Sequence, residues 1–428
     1  MQVHPTNDTF KDYIYFFVGQ VFSLLGSSVV QFIIPVWITL VYQDEILTSL
    51  VYFVSFIPSV FVSPIAGVFA DKWNRKKMIA LADSSQAITT LILIISFATN
   101  VVNLPIILSI SFLRSIFQSM HFPPSNAIIP TMVPEDKLSR MNGINYLLTS
   151  FINVIGPLIA GFMLVIFPIE IALWIDIITF FIAIIPLILI RIPDIREKVD
   201  NNVKSLSFME NLKEGLRITK IIPGLIVLLI LATFANFLEQ PLQTLLSNFI
   251  LVDNSGTELI LATITGSMSA GIFLGSIIIT LKKRWNKKVL LIVFGVLLGN
   301  FGYLIVAISP YQFYLMMIIG GVIYGLFLPI VNTMFLTLIQ TKVPTDTQGR
   351  VISIAILISS GITPLSIIIA GPISKIIGIS TLWIIYAILG MVICLIMWFF
   401  TNLKRIDKFE KESFSSSKDT NLNLNEKD

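Results

Sequence analysis

The sequence predicts an all-α polytopic membrane protein with twelve transmembrane helices in two repeated six-helix halves. Its composition is one reason: 55% of the 428 residues are hydrophobic and 13% are charged. In soluble domains about 45–50% of the residues are apolar and about 25% are charged. A second reason is that apolar runs long enough to cross a hydrocarbon layer roughly 30 Å thick recur along the chain. These runs are continuous, as in spanning helices, and lack the alternation of β-barrel strands.

The apolar runs follow a polar N-terminal stretch at residues 1–12. The first run is too long for the apolar core of a signal peptide, so we expect it to remain as a membrane helix. The predicted spans are 13–41, 47–70, 78–99, 103–123, 142–167, 170–191, 221–250, 259–281, 289–308, 311–340, 352–376 and 379–401.

Loop charges predict the orientation of the chain. Lysines and arginines concentrate in the loops after even-numbered spans, whereas the opposite loops hold acids, with Lys375 the one base near them. An excess of Lys and Arg marks cytoplasmic loops. We therefore predict a multi-pass protein of the cytoplasmic membrane with both termini in the cytoplasm.

A polar linker at residues 192–220 separates the two halves, which occupy residues 13–191 and 221–401. Apolar residues recur in this linker at helical spacing among charges, which predicts an amphipathic helix at the membrane surface. These residues are Phe208, Met209, Leu212, Leu216 and Ile218. The segment 402–428 is polar and is predicted to be a disordered cytoplasmic tail.

An internal repeat supports this division. Val133-Pro134-Glu135-Asp136 reappears 210 residues later as Val343-Pro344-Thr345-Asp346. Trp73-Asn74-Arg75-Lys76 reappears 212 residues later as Trp285-Asn286-Lys287-Lys288. Parallel six-span halves of this kind are a known transporter architecture, in which the substrate passes between the halves.

The sequence argues against an enzyme and against a cofactor or metal site. Cys394 is its single cysteine, and two histidines, His4 and His121, leave little scope for acid–base chemistry or a histidine-rich metal site or proton relay. It has no G-x-S-x-G, H-E-x-x-H or C-x-x-C motif, and no Gly-Lys dipeptide for an ATP-binding Walker A loop. Its bases lie in short loops, where they indicate topology and not nucleic-acid binding. A transport-inactive sensor remains an alternative.

The turn after span 2 reads Gly67-x-x-x-Asp71-Lys72-x-x-Arg75-Lys76-Lys77. It resembles the loop 2–3 signature of the major facilitator superfamily, with Asn74 where Gly is usual; Asn can adopt the positive φ of that Gly. The resemblance implies the major facilitator fold. It also implies a cytoplasmic gate made by Gly67, Asp71, Arg75 and Lys76. An acid here could cap a helix or pair with a base, and either contact would stabilise the closed gate by about 0.3–2 kcal/mol. A contact of this modest strength suits a gate that must reopen.

A second resemblance narrows the family. Residues 121–130, Trp174-Ile175-Asp176 in span 6 and Gly349-Arg350-Val351 after span 10 look like the macrolide-efflux branch of drug exporters. The branch implies a secondary active transporter that exports an amphiphilic, macrolide-like drug by proton antiport with alternating access. A lysophospholipid flippase and a metabolite exporter of the same superfamily are the alternatives. The implied partners are a small amphiphile, protons and the lipid bilayer.

Charged residues within predicted spans are costly and by default mark functional sites. Arg114, about eleven residues into span 4, resembles the superfamily's span-4 arginine and is predicted to serve coupling, or else a structural ion pair. Glu239 is our first choice for binding substrate or proton, and Asp176 is the second. Asp83 is interpreted as structural. Burial favours a neutral carboxyl group, so a buried acid can exchange protons.

Two further sets of residues complete the predicted site. Gly156, Pro157 and Gly161 in span 5 resemble a shortened antiporter signature and are predicted to form a hinge between the halves, with ordinary helix kinks as the alternative. Polar side chains within the spans are predicted to line the pathway, with interhelical hydrogen bonds as the alternative. They are Gln20, Gln31, Asn145, Asn236 and Gln240.

Replacing Asp71 by Asn is expected to abolish drug export while the protein stays in the membrane, because the amide lacks the charge that holds the gate. Export of a macrolide from cells is the measurement. Lys77→Gln is the matched control and should retain export, since Lys77 is interpreted as setting topology only. Undiminished export by Asp71→Asn would contradict the gate.

Overall fold

The computed structural model of the chain describes residues 5–193, 208–281, 285, 287–343 and 347–408. Almost all of the described residues are helical. A π-helical turn at Phe249–Asp253 continues α8, and a 3₁₀ turn at Asn402–Lys404 precedes α15. The helices are α1 (Asn7–Tyr42), α2 (Glu45–Lys72), α3 (Arg75–Ala98), α4 (Leu104–Met132), α5 (Glu135–Ile166), α6 (Ile169–Leu189), α7 (Phe208–Ile221), α8 (Leu225–Asn248), α9 (Glu258–Leu281), α10 (Lys288–Ala307), α11 (Tyr314–Lys342), α12 (Gln348–Ser360), α13 (Thr363–Ile377), α14 (Ile379–Phe400) and α15 (Arg405–Lys408).

Eleven helical segments of the described chain are long and apolar enough to cross a membrane. The remaining predicted span corresponds to α4, whose 29 residues include Arg114, Gln118 and His121 among apolar ones. This helix packs against α2 and α3 inside the bundle. The protein is therefore a multi-pass helical membrane protein. With α4 added to the eleven apolar segments, the described bundle has twelve long helical segments.

The two halves repeat the same helix pairings. In the first half α1 packs against α5 and α6, as α8 packs against α13 and α14 in the second. Likewise α4 packs against α2 and α3, as α11 packs against α9 and α10. Finally α3 packs against α6, as α10 packs against α14. The predicted fold of two six-helix repeats is confirmed, with α12 and α13 together forming one segment.

The halves touch each other near one end of the bundle. We call the end where α1 begins and α14 ends the terminal face, and the other end the opposite face. Near the opposite face, α5 packs against α9 and α2 packs against α13. A Cβ on Gly161 would lie 2.5 Å from that of Ala262, and one on Gly371 would collide with the carbonyl oxygen of Glu45. Glycine therefore lets the backbones of the two halves approach directly.

Near the terminal face, glycines of α2, α5 and the α12–α13 segment have no close neighbours. A Cβ built on Gly67 of α2, Gly143 of α5 or Gly349 of α12 would have no neighbouring atom of the described chain within 4 Å. The described contacts between the halves thus concentrate near the opposite face, whereas these three glycines at the terminal face have open space beside them.

Several helices extend beyond the apolar spans predicted from the sequence. The first begins at Asn7, inside the predicted polar stretch, because Thr6 caps it by accepting a hydrogen bond from the Thr9 N–H. The predicted loop 124–141 is largely helical, since α4 continues to Met132 and α5 begins at Glu135. The helices are longer than the predicted spans because hydropathy detects only the part of a helix that lies in hydrocarbon.

The predicted span 352–376 is divided. Helix α12 ends at Ser360 and α13 begins at Thr363. Pro364 lies in the first turn of α13, where its missing N–H is tolerated.

The connection between the halves contains α7, the helix at the position of the predicted amphipathic segment; residues 194–207 lie outside the described chain. Gly224 separates α7 from α8 with φ +84, and a Cβ there would lie 2.8 Å from the Asn402 carbonyl oxygen. Only glycine combines this φ with so close a neighbour. The segment predicted as a disordered tail begins with helical turns up to Lys408, and its remainder lies outside the described residues.

Candidate transport site

A cavity of about 390 Å³ lies inside the second half, between α8, α10, α11 and α12. Its lining runs from Leu228 and Ile339, near the terminal-face ends of α8 and α11, to Glu239 and Tyr324, nearer the middle of these helices. Most lining side chains are apolar. The polar ones belong to Asn236, Glu239, Tyr324, Asn332, Ser359 and Ser360. Apolar walls with a few polar groups are typical of small-molecule sites.

Glu239 is the one charged residue in the lining of this cavity. It shares a face of α8 with Asn236, three residues earlier, because residues at this spacing are neighbours on a helix. The Tyr324 side chain lies beside the Glu239 carboxylate, and the Gln243 side chain lies beside Tyr324. The fully buried Tyr303 also interacts electrostatically with Glu239. The cavity thus presents one half-buried carboxylate with no basic lining residue.

The predicted lining residues are distributed over different parts of the bundle. Asn236 lines the cavity, and its amide donates to the Ser359 carbonyl at 2.8 Å. Gln240, one residue after Glu239, is not in the lining. Gln31 is exposed, Asn145 is half-buried, and neither lines this cavity; Gln20 belongs to a polar cluster of the first half.

Arg114 and Asp176 form a buried ion pair inside the first half. Arg114 Nη1 lies 3.0 Å from Asp176 Oδ2, and the two side chains are only 8% and 7% exposed. Thr90 donates to the same oxygen at 2.5 Å, and Ser27 donates to Asp176 Oδ1 at 3.3 Å. Arg114 also donates to the hydroxyl of Thr90. The structure therefore brings two predicted site residues together, but away from the cavity of the second half.

The close packing of α1 on α6 makes this ion pair possible. A Cβ on Gly26 would collide with the side chain of Thr179 and lie 2.8 Å from the Asp176 Cα. With glycine at this point, α1 approaches α6 closely enough for the neighbouring Ser27 to reach the Asp176 carboxylate.

A second polar cluster of the first half contains Asp83, His121 and Gln20. The Gln20 amide donates to Asp83 Oδ2 at 3.3 Å, and its oxygen lies 2.9 Å from His121 Nε2. His121 Nε2 is also 3.5 Å from Asp83 Oδ1 and 3.2 Å from the Ser125 hydroxyl. No role for His121 was predicted from the sequence. The signal was its spacing of seven residues from Arg114, which puts both on one face of α4.

The residues of the predicted gate occupy the turn between α2 and α3. Arg75 donates to the Ala127 carbonyl at 2.8 Å, and Lys76 donates to the Ile188 and Ile190 carbonyls at 2.8 and 2.7 Å. The two carbonyls bound by Lys76 are at the C-terminus of α6, where carbonyls lack partners within the helix. The side chain of Asp71 lies outside the described part. The turn thus anchors α3 to α4 and α6.

Asn74 differs from its expected role. Its φ is −68, so this turn does not need the positive φ that we expected from the superfamily's glycine. Its side chain instead accepts a hydrogen bond from the Lys77 N–H at 3.0 Å and caps α3. Asparagine is a favoured N-cap residue, so the substitution has a local physical reason.

Polar contacts reinforce the junction of the halves near the opposite face. Thr39 donates to Ser247 at 2.8 Å, and Lys375 donates to Asp44 at 2.5 Å. Partial burial raises the pKa of Asp44, but the hydrogen bonds from Lys375 and from the Leu47 and Ile46 N–H groups lower it more, so the net shift is downward. A lowered pKa means that this contact is fully present above the usual Asp range and is lost only as the pH falls through the lowered value.

The predicted hinge residues lie in two different contacts. A Cβ on Gly156 would collide with Ser28 of α1 within the first half, whereas Gly161 lies where α5 meets α9 of the second half. Pro157 is buried inside α5. Of this set, Gly161 is therefore at the interface between the halves.

The fold and the site define a polytopic membrane transporter built from two repeated six-helix halves. The sequence model of the Major Facilitator Superfamily matches residues 16–366. The chain belongs to this superfamily. The match confirms the membership that the loop 2–3 motif predicted.

Relatives place the chain beside drug exporters. Macrolide efflux protein A of Streptococcus pyogenes is 25% identical over 394 residues, which cover 91% of this chain and 96% of that protein. Multidrug efflux pump Tap of Mycolicibacterium fortuitum is 23% identical over 399 residues, or 90% and 94% of the two chains. A bacterial homologue of the iron transporter ferroportin in an inward-facing state shares the fold, with a TM-score of 0.68, 13% identity and coverage of 90% and 98%. The predicted similarity to the macrolide-efflux branch is confirmed.

Replacing Arg114 or Asp176 by Leu alone is expected to lower the free energy of unfolding by about 3–5 kcal/mol, because either change leaves an unpaired buried charge. The double replacement should cost less than the sum of the two. Thermal unfolding of the purified protein measures this. Arg140→Leu, at an exposed position of α5, is the control. Additive losses would contradict the pairing.

Proposed function

We propose that the protein exports an amphiphilic, macrolide-like drug across the cytoplasmic membrane in exchange for protons. The observation that carries this proposal is the cavity of the second half, whose apolar walls hold one carboxylate, Glu239, and no base. An amphiphile with a basic amine matches both features, since its apolar body fits the walls and its charge complements the acid. The similarity to macrolide efflux protein A over most of both chains supports this substrate class.

The charge distribution supports an export orientation. The bases Arg75, Lys76 and Arg140 lie at the terminal face, whereas Asp44 and Glu258 lie at the opposite face. Excess Lys and Arg mark the cytoplasmic side, so the terminal face and both termini are cytoplasmic in this proposal. The cavity then faces the compartment from which an exporter takes its substrate.

The asymmetric contact between the halves supports alternating access in this proposal. Gly161 and Gly371 are packed near the opposite face, while Gly67, Gly143 and Gly349 on the corresponding segments have open space at the terminal face. Rocking of the halves would separate the first contacts and bring the second set of glycines against the other half. The predicted gate residues Asp71 and Arg75 are in the turn after Gly67 and would be close to this second contact.

Energy for export comes from protons in this proposal. The sequence has no Walker A loop for ATP, and acids in the membrane interior are the usual proton relays of transporters. Collapse of the proton gradient in cells that keep their ATP should therefore stop export. Continued export would point to a different driving force.

Expression in a host that lacks its own drug pumps should lower the accumulation of erythromycin, a macrolide with a basic amine. Glu239→Gln should raise the KM for export about tenfold, the equivalent of about 1.4 kcal/mol, because it removes the charge that faces the amine. Uptake of radiolabelled drug is the measurement. Glu135→Gln, at an exposed acid of α5, is the matched control and should behave as the unmodified protein.

If no macrolide or lipophilic cation is expelled, the proposed substrate class is wrong. A lysophospholipid flipping assay with the same strains then tests the alternative within the superfamily. An unchanged KM in Glu239→Gln would remove Glu239 from the substrate site.

Alternating access can be tested by a cross-link near the opposite face. The Thr39 and Ser247 hydroxyls are 2.8 Å apart across the halves, so cysteines at both positions are placed to form a disulfide. Oxidation of Thr39→Cys/Ser247→Cys is expected to stop export, and reduction should restore it. The native Cys394 is buried, and each single-cysteine variant is a control. Full export by the cross-linked protein would exclude rocking at this contact.

A further inference from the structure

The polar cluster around His121 is enclosed in the first half and has no part in the cavity of the second. Asp83 is 4% exposed, and the His121 side chain is 17% exposed. The cluster joins three helices, since Gln20 is on α1, Asp83 on α3, and His121 and Ser125 on α4. A titratable pair at such a junction can link proton binding to helix packing.

The hydrogen bonds of Gln20 indicate which nitrogen of His121 carries a hydrogen. Its amide nitrogen donates to Asp83 Oδ2, so its oxygen is the atom that faces His121 Nε2, at 2.9 Å. An amide oxygen only accepts hydrogen bonds. His121 Nε2 therefore carries a hydrogen in this arrangement, either as the neutral Nε2–H tautomer or as imidazolium, with Asp83 Oδ1 as a second acceptor 3.5 Å away.

The net charge of the His121–Asp83 pair depends on whether it holds one exchangeable proton. With one shared proton His121 and Asp83 are together neutral, either as imidazolium and carboxylate or as imidazole and carboxylic acid. Without that proton the pair is a buried negative charge, which is costly among apolar helices. Gain and loss of this proton therefore change the net charge at the junction of α1, α3 and α4.

Charged groups on the surrounding helices are paired or lie nearer a helix end. Those of α5 are Glu135, Asp136, Lys137 and Arg140, all in its first two turns. Arg114 of α4 and Asp176 of α6 neutralise each other at 3.0 Å, and arginine does not deprotonate in proteins. Arg75 of α3 is bound to the Ala127 carbonyl. On α1 the acid nearest to Gln20 in sequence is Asp12, which is eight residues earlier and therefore about 12 Å away along the helix. On α2, Asp71 is in the last turn, and its side chain lies outside the described part.

We propose that His121, Asp83 and Gln20 form a proton-binding site in the first half, and that this site takes up the proton exchanged for drug. The second clause rests on the proposed antiport. In this arrangement the second half binds the amphiphile at Glu239, and the first half binds the proton. Because the halves move against each other, a change in packing at the proton site is transmitted to the drug cavity.

The proton site can be tested without any substrate. The chain has two histidines, so His4→Gln leaves His121 as the only signal in NMR of protein with ¹³C-labelled histidine rings. The chemical shift of this signal is recorded as a function of pH, and the midpoint of that dependence is the measured quantity. Asp83→Asn should lower its midpoint by about one pH unit, a tenfold loss of proton affinity. Gln20→Glu should raise the midpoint, because it adds a carboxylate beside Nε2.

The two variants shift the midpoint in opposite directions, so one remains informative if the other fails to fold. Glu135→Gln, at an exposed acid, should leave the midpoint unchanged. A His121 signal that does not titrate, or an equal midpoint in Asp83→Asn and Gln20→Glu, would overturn the proton site.

The coupling role needs vesicles that contain the purified full-length protein and erythromycin. In the unmodified protein a pH gradient should increase drug accumulation above that seen by exchange without a gradient. In His121→Gln the gradient should no longer increase it. An equal response to the gradient in both proteins overturns the coupling role, whereas absence of any drug transport by the unmodified protein counts against the proposed function and leaves the NMR result standing.

Discussion

A hydrocarbon interior offers no water to polar groups, and this constraint organises the whole protein. Backbone groups must pair within each helix, so the described chain is built from helices. Ionisable side chains must pair as well, since an isolated buried charge is far more costly than a paired one. In the first half Arg114 is paired with Asp176, and His121 is held beside Asp83 through Gln20. Glu239 differs because part of its environment is an accessible cavity.

The same constraint explains why the contacts between the halves are informative. Lipid tails are as apolar as the helix surfaces, so helices associate by close packing and by hydrogen bonds. Gly161 and Gly371 allow backbone contact near the opposite face, and Thr39 and Lys375 add polar bonds there. At the terminal face Gly67 and Gly349 have open space. A structure in which one face is packed and the other has room suits a carrier that opens toward one side at a time.

Sequence reasoning was most accurate where a property is repeated along one segment. Apolar length predicted the spans, and the two repeated motifs predicted the two halves. It was least accurate at helix ends: Asn7, Met132 and Glu135 lie beyond the apolar runs because caps and polar residues continue a helix outside hydrocarbon. It was also inaccurate at Asn74, whose φ is negative because the side chain caps α3.

The sequence by itself determined the membrane class, the repeated halves and the superfamily, because composition, apolar run length and local motifs are properties of contiguous residues. It also supplied Arg114, Asp176 and Glu239 as candidates, since a charge in an apolar run is visible without a structure. Only the tertiary structure decided which of them meet. Arg114 and Asp176 are 62 residues apart and touch, whereas Glu239 lies in a separate cavity. Partners of this kind come from helices that are distant in sequence. The rotation of each helix about its axis and the identity of its neighbours depend on tertiary packing, and no single segment determines them.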